Sequence, residues 1–75
     1  MPDVSALREK YPKGTRLRLL RCINDPFSPK KQGDIMTVSF VDDACQIHGT
    51  WESGGSIALI VGQDVFEVAD RNTGT

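Results

Sequence analysis

The sequence lacks the features that mark secreted, membrane-bound or disulfide-rich proteins. It holds two cysteines among 75 residues, no run of about 18 apolar residues that would span a bilayer, and no internal repeat or low-complexity tract. Its first residues, Met1 to Asp3, lack the basic and apolar blocks of a secretion signal. We therefore expect a cytoplasmic protein without a membrane partner, in which Cys22 and Cys45 remain thiols. A disulfide between them would need Cα atoms within about 7 Å of each other, which the sequence leaves open.

The chain is also short, and its size limits the functions that it can support. With 75 residues we expect a single domain, residues 1–75, that buries only about 60% of the surface of its unfolded chain. A core of this size leaves no room for a deep active-site cleft. The net charge of −1 and the hydrophobic fraction of 39% are ordinary for a soluble globular domain.

A short helix is predicted at the start of the domain, over residues 3–11. Asp3 or Ser5 can cap it, since both side chains accept hydrogen bonds from backbone N–H groups at helix N-termini. Pro12 and Gly14 then end it. A helix of this length is too short to be stable alone and must pack on the rest of the domain.

From Thr15 onward the apolar residues follow a period of two, which is typical of strands with one wet face. In the first strand Leu17 and Leu19 face inward, whereas Arg16 and Arg18 face outward. Residues 22–33 are rich in Pro, Asn, Asp and Gly and form the longest loop, which we call the 22–33 loop. The alternating pattern returns at 36–40, 47–52, 57–59 and 66–68, with a tight glycine-rich hairpin at 53–56 and a frayed tail at 70–75. The predicted core is Leu17, Leu19, Met36, Val38, Phe40, Ile47, Trp51, Ile57, Leu59 and Phe66.

This order of elements predicts a mainly all-β fold. A helix, a strand, a long loop, a three-strand meander, a one-turn connection and a closing strand together make a small five-stranded SH3-like barrel over residues 15–68. Closure would remove the exposed edges of the sheet. An OB-fold fits less well, because the turn at 53–56 leaves no space for the helix usual between its third and fourth strands.

Most of the chain also follows a recognisable pattern of motifs. They are Tyr11-Pro12-Lys13-Gly14-Thr15-Arg16, Asp25-Pro26, Gly33, Thr37-Val38, Val41-Asp42-Asp43, Gln46-Ile47-His48, Trp51 with Gly54, Ile57-Ala58-Leu59-Ile60, Gly62, Asp64 and Phe66. In this order and spacing the sequence resembles a family of small bacterial and phage-encoded domains of unknown function. The resemblance implies an SH3-like barrel and brings no catalytic or binding residue.

The sequence departs from that family's pattern at a few positions. The family has glycine where Met36 and Cys45 stand, aspartate where Glu52 stands, and a shorter approach to the Asp-Pro pair. These differences concern local loop geometry rather than the order of the strands.

The two ends of the chain differ strongly in charge. Residues 1–31 hold eight Lys or Arg against three acids, a charge of +5, and the remaining residues hold seven acids against Arg71, a charge of −6. If Arg16 and Arg18 lie beside Lys30 and Lys31, they form a basic strip that could contact nucleic acid. Against this alternative, opposite charges on neighbouring strands often cancel, and the pI of 5.6 is far below the value of about 9 typical of nucleic-acid-binding domains.

A protein partner is the first expectation, and we expect it to bind through the 22–33 loop and the first strand. Long loops on rigid scaffolds are common binding sites. Phe27 in this loop and Tyr11 beside Pro12 are the aromatic rings expected at the surface. The candidate binding surface is therefore Tyr11, Arg16, Arg18, Phe27, Lys30 and Lys31. The aromatic residues are too sparse to predict a groove for proline-rich peptides.

Catalytic and metal-binding chemistry receives little support. Cys45 and His48 have the Cys-x-x-His spacing of metal ligands, with Asp42 and Asp43 nearby, but structural zinc usually recruits a second close Cys or His pair. Cys45 and His48 also lack a third group that would complete a catalytic set. We therefore expect an acidic turn followed by an outward histidine, with no enzyme activity, no cofactor and no metal. The predicted function is a non-enzymatic interaction module, monomeric or weakly associating.

Overall fold

Five antiparallel strands and one short helix make up the structure, a computed structural model that describes residues 3–70, with the backbone alone for Asp70. The elements are α1 (Val4–Lys10), β1 (Arg16–Leu19), β2 (Ile35–Val41), β3 (Gln46–Trp51), β4 (Leu59–Ile60) and β5 (Phe66–Asp70). The mainly β prediction is confirmed. Of the tail predicted to fray, residues 71–75 lie outside the described residues, and the backbone of Asp70 ends β5.

The helix begins immediately after Asp3. The Asp3 carboxylate accepts a hydrogen bond from the backbone N–H of Ser5 at 3.0 Å, so Asp3 rather than Ser5 is the cap. At the other end the Tyr11 N–H donates to the Leu7 carbonyl at 2.8 Å. Leu7 and Tyr11 are both buried, because their i, i+4 spacing places them on the same face of the helix.

The strands form one sheet in the order β4-β3-β2-β1-β5. The first four strands are a meander, and the chain then returns to pair β5 with β1, where Leu17 lies opposite Val68. Within residues 3–70, β4 and β5 are the two edges of the sheet and do not pair with each other. The sheet is therefore open, whereas a closed barrel was predicted. One reason is the short β4, since both backbone groups of Ile60 bond to the turn that follows it.

The core lies against one face of this sheet and follows the alternating pattern. Seven of the ten predicted core residues are buried: Leu17, Leu19, Met36, Val38, Ile47, Trp51 and Leu59. Leu7, Tyr11 and Val41 complete the buried cluster, with Ile57 and Phe66 packed partly against it.

Phe40 was predicted in the core, but its side chain is 55% exposed. The pairing of β2 with β3 shifts between Val38 and Phe40, so that Ser39 is an extra residue without an opposite partner. An extra residue of this kind sends the next side chain to the other face of the sheet. Phe40 therefore points outward, and Val41 takes the inward position.

Two further loop predictions need correction. The connection between β3 and β4 spans residues 52–58 and is not a tight hairpin at 53–56. The Trp51 indole N–H donates to the Ile57 carbonyl across this connection at 2.8 Å, which satisfies the polar atom of a ring that is 2% exposed. The composition of the 22–33 loop predicts a segment without strand pairing, but Ile23 and Lys30 form an isolated bridge with N···O distances of 2.8 and 3.0 Å.

Candidate binding surface

The tip of the 22–33 loop is held by Asp25. One oxygen of its carboxylate accepts hydrogen bonds from the backbone N–H groups of Phe27 at 2.8 Å and Ser28 at 2.9 Å. Short acidic side chains commonly fix turns in this way. The turn projects the Phe27 side chain away from the protein, and its exposed fraction is 95%. Phe27 is therefore a surface ring, as predicted, on a loop whose backbone is fixed at both the tip and the Ile23–Lys30 bridge.

Lys30 anchors the loop to the rest of the domain instead of joining a basic strip. It is 5% exposed, and its ammonium group lies 5.4 Å from the centre of the Trp51 ring. The same group donates to the Ser53 hydroxyl at 3.3 Å and to the Gly54 carbonyl. A buried ammonium is tolerated only with such partners. The prediction that Lys30 lies on the surface is wrong, because its side chain is buried and its ammonium group bonds to the connection between β3 and β4.

The other members of the predicted basic strip lie at the surface, but two of them are paired with acids. Arg16 forms an ion pair with Glu52, and Arg18 with Glu67 at 2.7 Å. All four side chains are about half exposed. Lys31 is exposed, and its backbone N–H donates to Asp34 at 2.8 Å. Acidic side chains thus lie beside both arginines, and Lys30 is buried, so the four residues do not form a continuous cationic surface.

Tyr11, the other ring predicted at the surface, is buried. Its exposed fraction is 9%, and its ring meets that of Phe66 edge-on with 5.7 Å between centroids. The Tyr11 ring has a second contact, with the ammonium group of Lys10, which lies 5.4 Å from the ring centroid. Tyr11 therefore fixes the helix on the sheet and does not present an aromatic surface.

A groove of about 470 Å³ opens on one side of the 22–33 loop. One wall is the first part of the loop, and the other comes from β4, the residues before it, the turn after it and the first residue of β3. The apolar lining is Ile23, Pro26, Ile57, Ala58 and Ile60, and the polar lining is Asn24, Asp25, Gln46, Gln63 and Asp64. A smaller hollow of about 300 Å³ lies on the side of Phe27, between Lys30 and the 53–55 segment.

The turn between β2 and β3 holds the acidic and histidine side chains singled out in the sequence. One Asp42 oxygen accepts hydrogen bonds from the Ala44 and Gln46 N–H groups, both at 2.9 Å, and the other lies 2.7 Å from His48 Nε2. The hydrogen bond with His48, followed by that from Gln46, lowers the pKa of Asp42. The His48 ring stacks on Phe40 with 4.6 Å between centroids. Asp42 thus organises a turn, and both of its oxygens already have partners.

The two cysteines are free thiols, and neither belongs to a metal-binding group in the described residues. Neither Cys22, which is exposed, nor Cys45, which is half-buried, is in a disulfide. Among residues 3–70 there is no group of three or more His, Cys, Asp or Glu side chains arranged to hold a metal ion. Cys45 has a φ of +62°, a conformation that favours glycine, the residue that the family resemblance places at this position.

The sequence model of a family described as a domain of unknown function, DUF4314, matches residues 2–69. The chain belongs to this family. Among curated proteins and solved structures, no significant match to the chain was found. Within the part of the DUF4314 domain that the structure describes, no helix is long and apolar enough to cross a membrane.

The groove of the DUF4314 domain was not found by sequence reasoning. Its two walls come from segments more than 30 positions apart, such as Asp25 and Asp64, and no periodic pattern connects them. The one available signal was the Asp-Pro pair within the 22–33 loop, which belongs to the motif pattern and lines the groove. Ile57 was expected to point fully inward, but it is half-buried and also faces the groove.

Proposed function

We propose that this domain is a non-enzymatic, cytoplasmic interaction module of bacteria or their phages that binds another protein through Phe27 and the adjoining groove. The observation that carries this proposal is the 95% exposure of Phe27 on a loop fixed by Asp25 and by the Ile23–Lys30 bridge. Protein interfaces are enriched in aromatic anchors, and an anchor on a loop whose backbone is already fixed loses less entropy on binding than one on a free loop.

The anchoring of the loop supports this role. Lys30 ties the loop to Ser53 and Gly54 and lies over the Trp51 ring. The two loops also approach each other closely at Gly55. A Cβ atom added there would lie 2.6 Å from the Ser28 hydroxyl oxygen, so the 22–33 loop and the 52–58 connection are in contact. A surface built on such a scaffold keeps its shape when a partner binds, and this lowers the free-energy cost of association.

We also propose an SH3-like architecture in which the sheet remains open. The strand order β4-β3-β2-β1-β5, with the long loop after β1 and a turn between β4 and β5, supports it. In this arrangement the 22–33 loop and the turn at 61–64 lie on either side of the groove. The architecture thus accounts for the position of the proposed binding surface.

Nucleic acid is not favoured as a second partner class. Arg16 and Arg18 are paired with acids, and Lys30 is buried. Neutralising phosphates would require these arginines to exchange one ion pair for another, which yields little net free energy at physiological salt. Of the predicted strip, Lys31 is the exposed cation outside these ion pairs in the described part of the chain.

The proposal can be tested by site-specific photo-crosslinking in the native host. A photoreactive phenylalanine analogue replaces Phe27 in one variant and Phe40 in the other. Phe40 is the matched control, because it is also an exposed aromatic residue, at 55%, and lies on the β2–β3 side of the domain. We expect position 27 to give a discrete crosslinked protein, which an excess of the untagged domain removes.

A result in which positions 27 and 40 give the same products, or in which position 27 gives none, would contradict the proposal. Crosslinking to nucleic acid at position 27 would also contradict it and would revive the alternative partner class.

A further inference from the structure

The groove beside the 22–33 loop has an apolar floor and acidic walls. Its apolar lining is Ile23, Pro26, Ile57, Ala58 and Ile60, and Asp25 and Asp64 are its charged residues. None of the residues lining it in the described part of the chain is a lysine or an arginine. At about 470 Å³ it falls within the range of about 300–1,000 Å³ typical of ligand-binding clefts.

In Asp25 and Asp64, one carboxylate oxygen accepts backbone hydrogen bonds and the other oxygen accepts none from the described residues. Asp25 Oδ1 accepts from the N–H groups of Phe27 and Ser28, and Asp64 Oδ2 accepts from the N–H of Ile60 at 2.7 Å. Within residues 3–70, no hydrogen bond or ion pair involves Asp25 Oδ2 or Asp64 Oδ1. Both side chains are half-buried. Two residues that line the groove thus each keep one carboxylate oxygen without a hydrogen bond to the described part of the chain before any ligand binds.

The sheet edge next to the groove is not available for backbone pairing. The Ile60 N–H donates to Asp64, and the Ile60 carbonyl accepts from the N–H groups of Gln63 at 3.0 Å and Asp64 at 2.9 Å. A partner strand added to β4 would have to break these bonds. We therefore expect binding to depend on side chains that enter the groove rather than on a strand added to β4.

We propose that the groove binds a protein segment that carries lysine or arginine next to apolar side chains. This inference rests on the proposed function and names the chemistry of its partner. Apolar side chains of the segment cover Ile57 and Ile60, and its cationic group donates to the unused oxygens of Asp25 and Asp64. The charge-assisted hydrogen bonds select a basic segment, because an acidic one would place like charges together in a partly buried site.

The test is an amide-resolved NMR titration of the labelled domain with three synthetic peptides of equal length. They share two leucines and differ only at two flanking positions, which hold arginine, glutamine or glutamate. We expect shifts at residues 23–26 and 57–64 with the arginine peptide, binding about tenfold weaker with the glutamine peptide, and no binding of the glutamate peptide.

Two charge-neutral variants locate the effect. Asp25→Asn and Asp64→Asn keep an oxygen that can accept the backbone hydrogen bonds of their loops, so the fold is retained and its amide spectrum provides the check. Each variant should bind the arginine peptide about tenfold more weakly and should bind the glutamine peptide with unchanged affinity. Glu9→Gln removes the same charge from the exposed face of α1 and should change neither.

Equal binding of the arginine and glutamine peptides would overturn the inference while leaving a protein-binding groove in place. Binding of no peptide, with crosslinking at position 27 intact, would overturn it as well and would place the interface on Phe27 alone. Shifts of the groove amides by an oligonucleotide instead of a peptide would overturn both this inference and the proposed function.

Discussion

At the scale of single residues, the contrast between Trp51 and Phe40 shows how position rather than chemistry decides the role of an aromatic ring. Both were predicted in the core from their place in alternating strands. Trp51 is 2% exposed and bonds to the Ile57 carbonyl, whereas Phe40 is 55% exposed and stacks on His48. The extra residue at Ser39 causes this difference.

The two rings should therefore differ in their contribution to stability. Trp51→Ala should lower the free energy of unfolding by about 3–5 kcal/mol, the usual cost of removing a buried aromatic side chain. Phe40→Ala should cost at most about 1 kcal/mol, since it removes a surface stacking contact. Urea unfolding of both variants measures the difference. Equal costs would contradict the outward position of Phe40.

Cys45 offers a second comparison at this scale, because its φ of +62° suits glycine. We expect Cys45→Gly to be more stable than Cys45→Ala by about 1 kcal/mol, since alanine keeps the steric penalty of the left-handed conformation and glycine does not. Comparing these two variants with each other cancels the packing lost with the thiol. An alanine variant of equal or greater stability would contradict the strain at this position.

At the scale of elements, the strands were largely predictable and the loops were not. A period of two identified β1, β2 and β3, because one face of each strand packs on the core and the other does not. The bulge at Ser39 could not be predicted, because the alternation of apolar and polar residues that begins at Met36 continues through Phe40. The charge of Lys30 predicted a position at the surface. This prediction failed because Lys30 is buried by contacts with Trp51 and Gly54, which are distant in the sequence. The groove was missed for the same reason.

The turn between β2 and β3 makes stability depend on pH. Its hydrogen bonds with His48 and Gln46 lower the pKa of Asp42 in the folded protein. The ionised carboxylate therefore stabilises the fold at neutral pH, and this contribution is lost as the pH falls below about 4 toward the folded-state pKa. Asp42→Asn should reduce stability at pH 7, and its deficit relative to the unmodified protein should shrink in acid.

Thermal melts of both proteins between neutral and acidic pH provide the measurement. His48→Ala serves as the companion variant, since it removes the main cause of the low pKa and should move the loss of stability to higher pH. A deficit of Asp42→Asn that stays constant across this range would show that the charge of Asp42 does not stabilise the turn.

At the scale of the whole molecule, the fold brings the two oppositely charged parts of the chain together. Among the described residues, Arg8–Asp43, Arg16–Glu52 and Arg18–Glu67 are ion pairs that each join a cation from the first part to an acid from the second. The strong asymmetry along the sequence is thus not an asymmetry of the folded surface at these sites. Charge counted along a chain predicts a binding surface only where the topology keeps like charges adjacent.

This pairing predicts how the domain responds to nucleic acid. In an amide-resolved NMR titration with short single- and double-stranded oligonucleotides, we expect no shifts at physiological salt. At low salt we expect at most weak shifts near Lys31, because each arginine would have to leave its acid to reach a phosphate. Shifts that cluster on Arg16, Arg18 and Lys31 at physiological salt and fade as salt rises would contradict this prediction. They would mean that the ion pairs with Glu52 and Glu67 open at little cost, and that the first strand is a nucleic-acid surface.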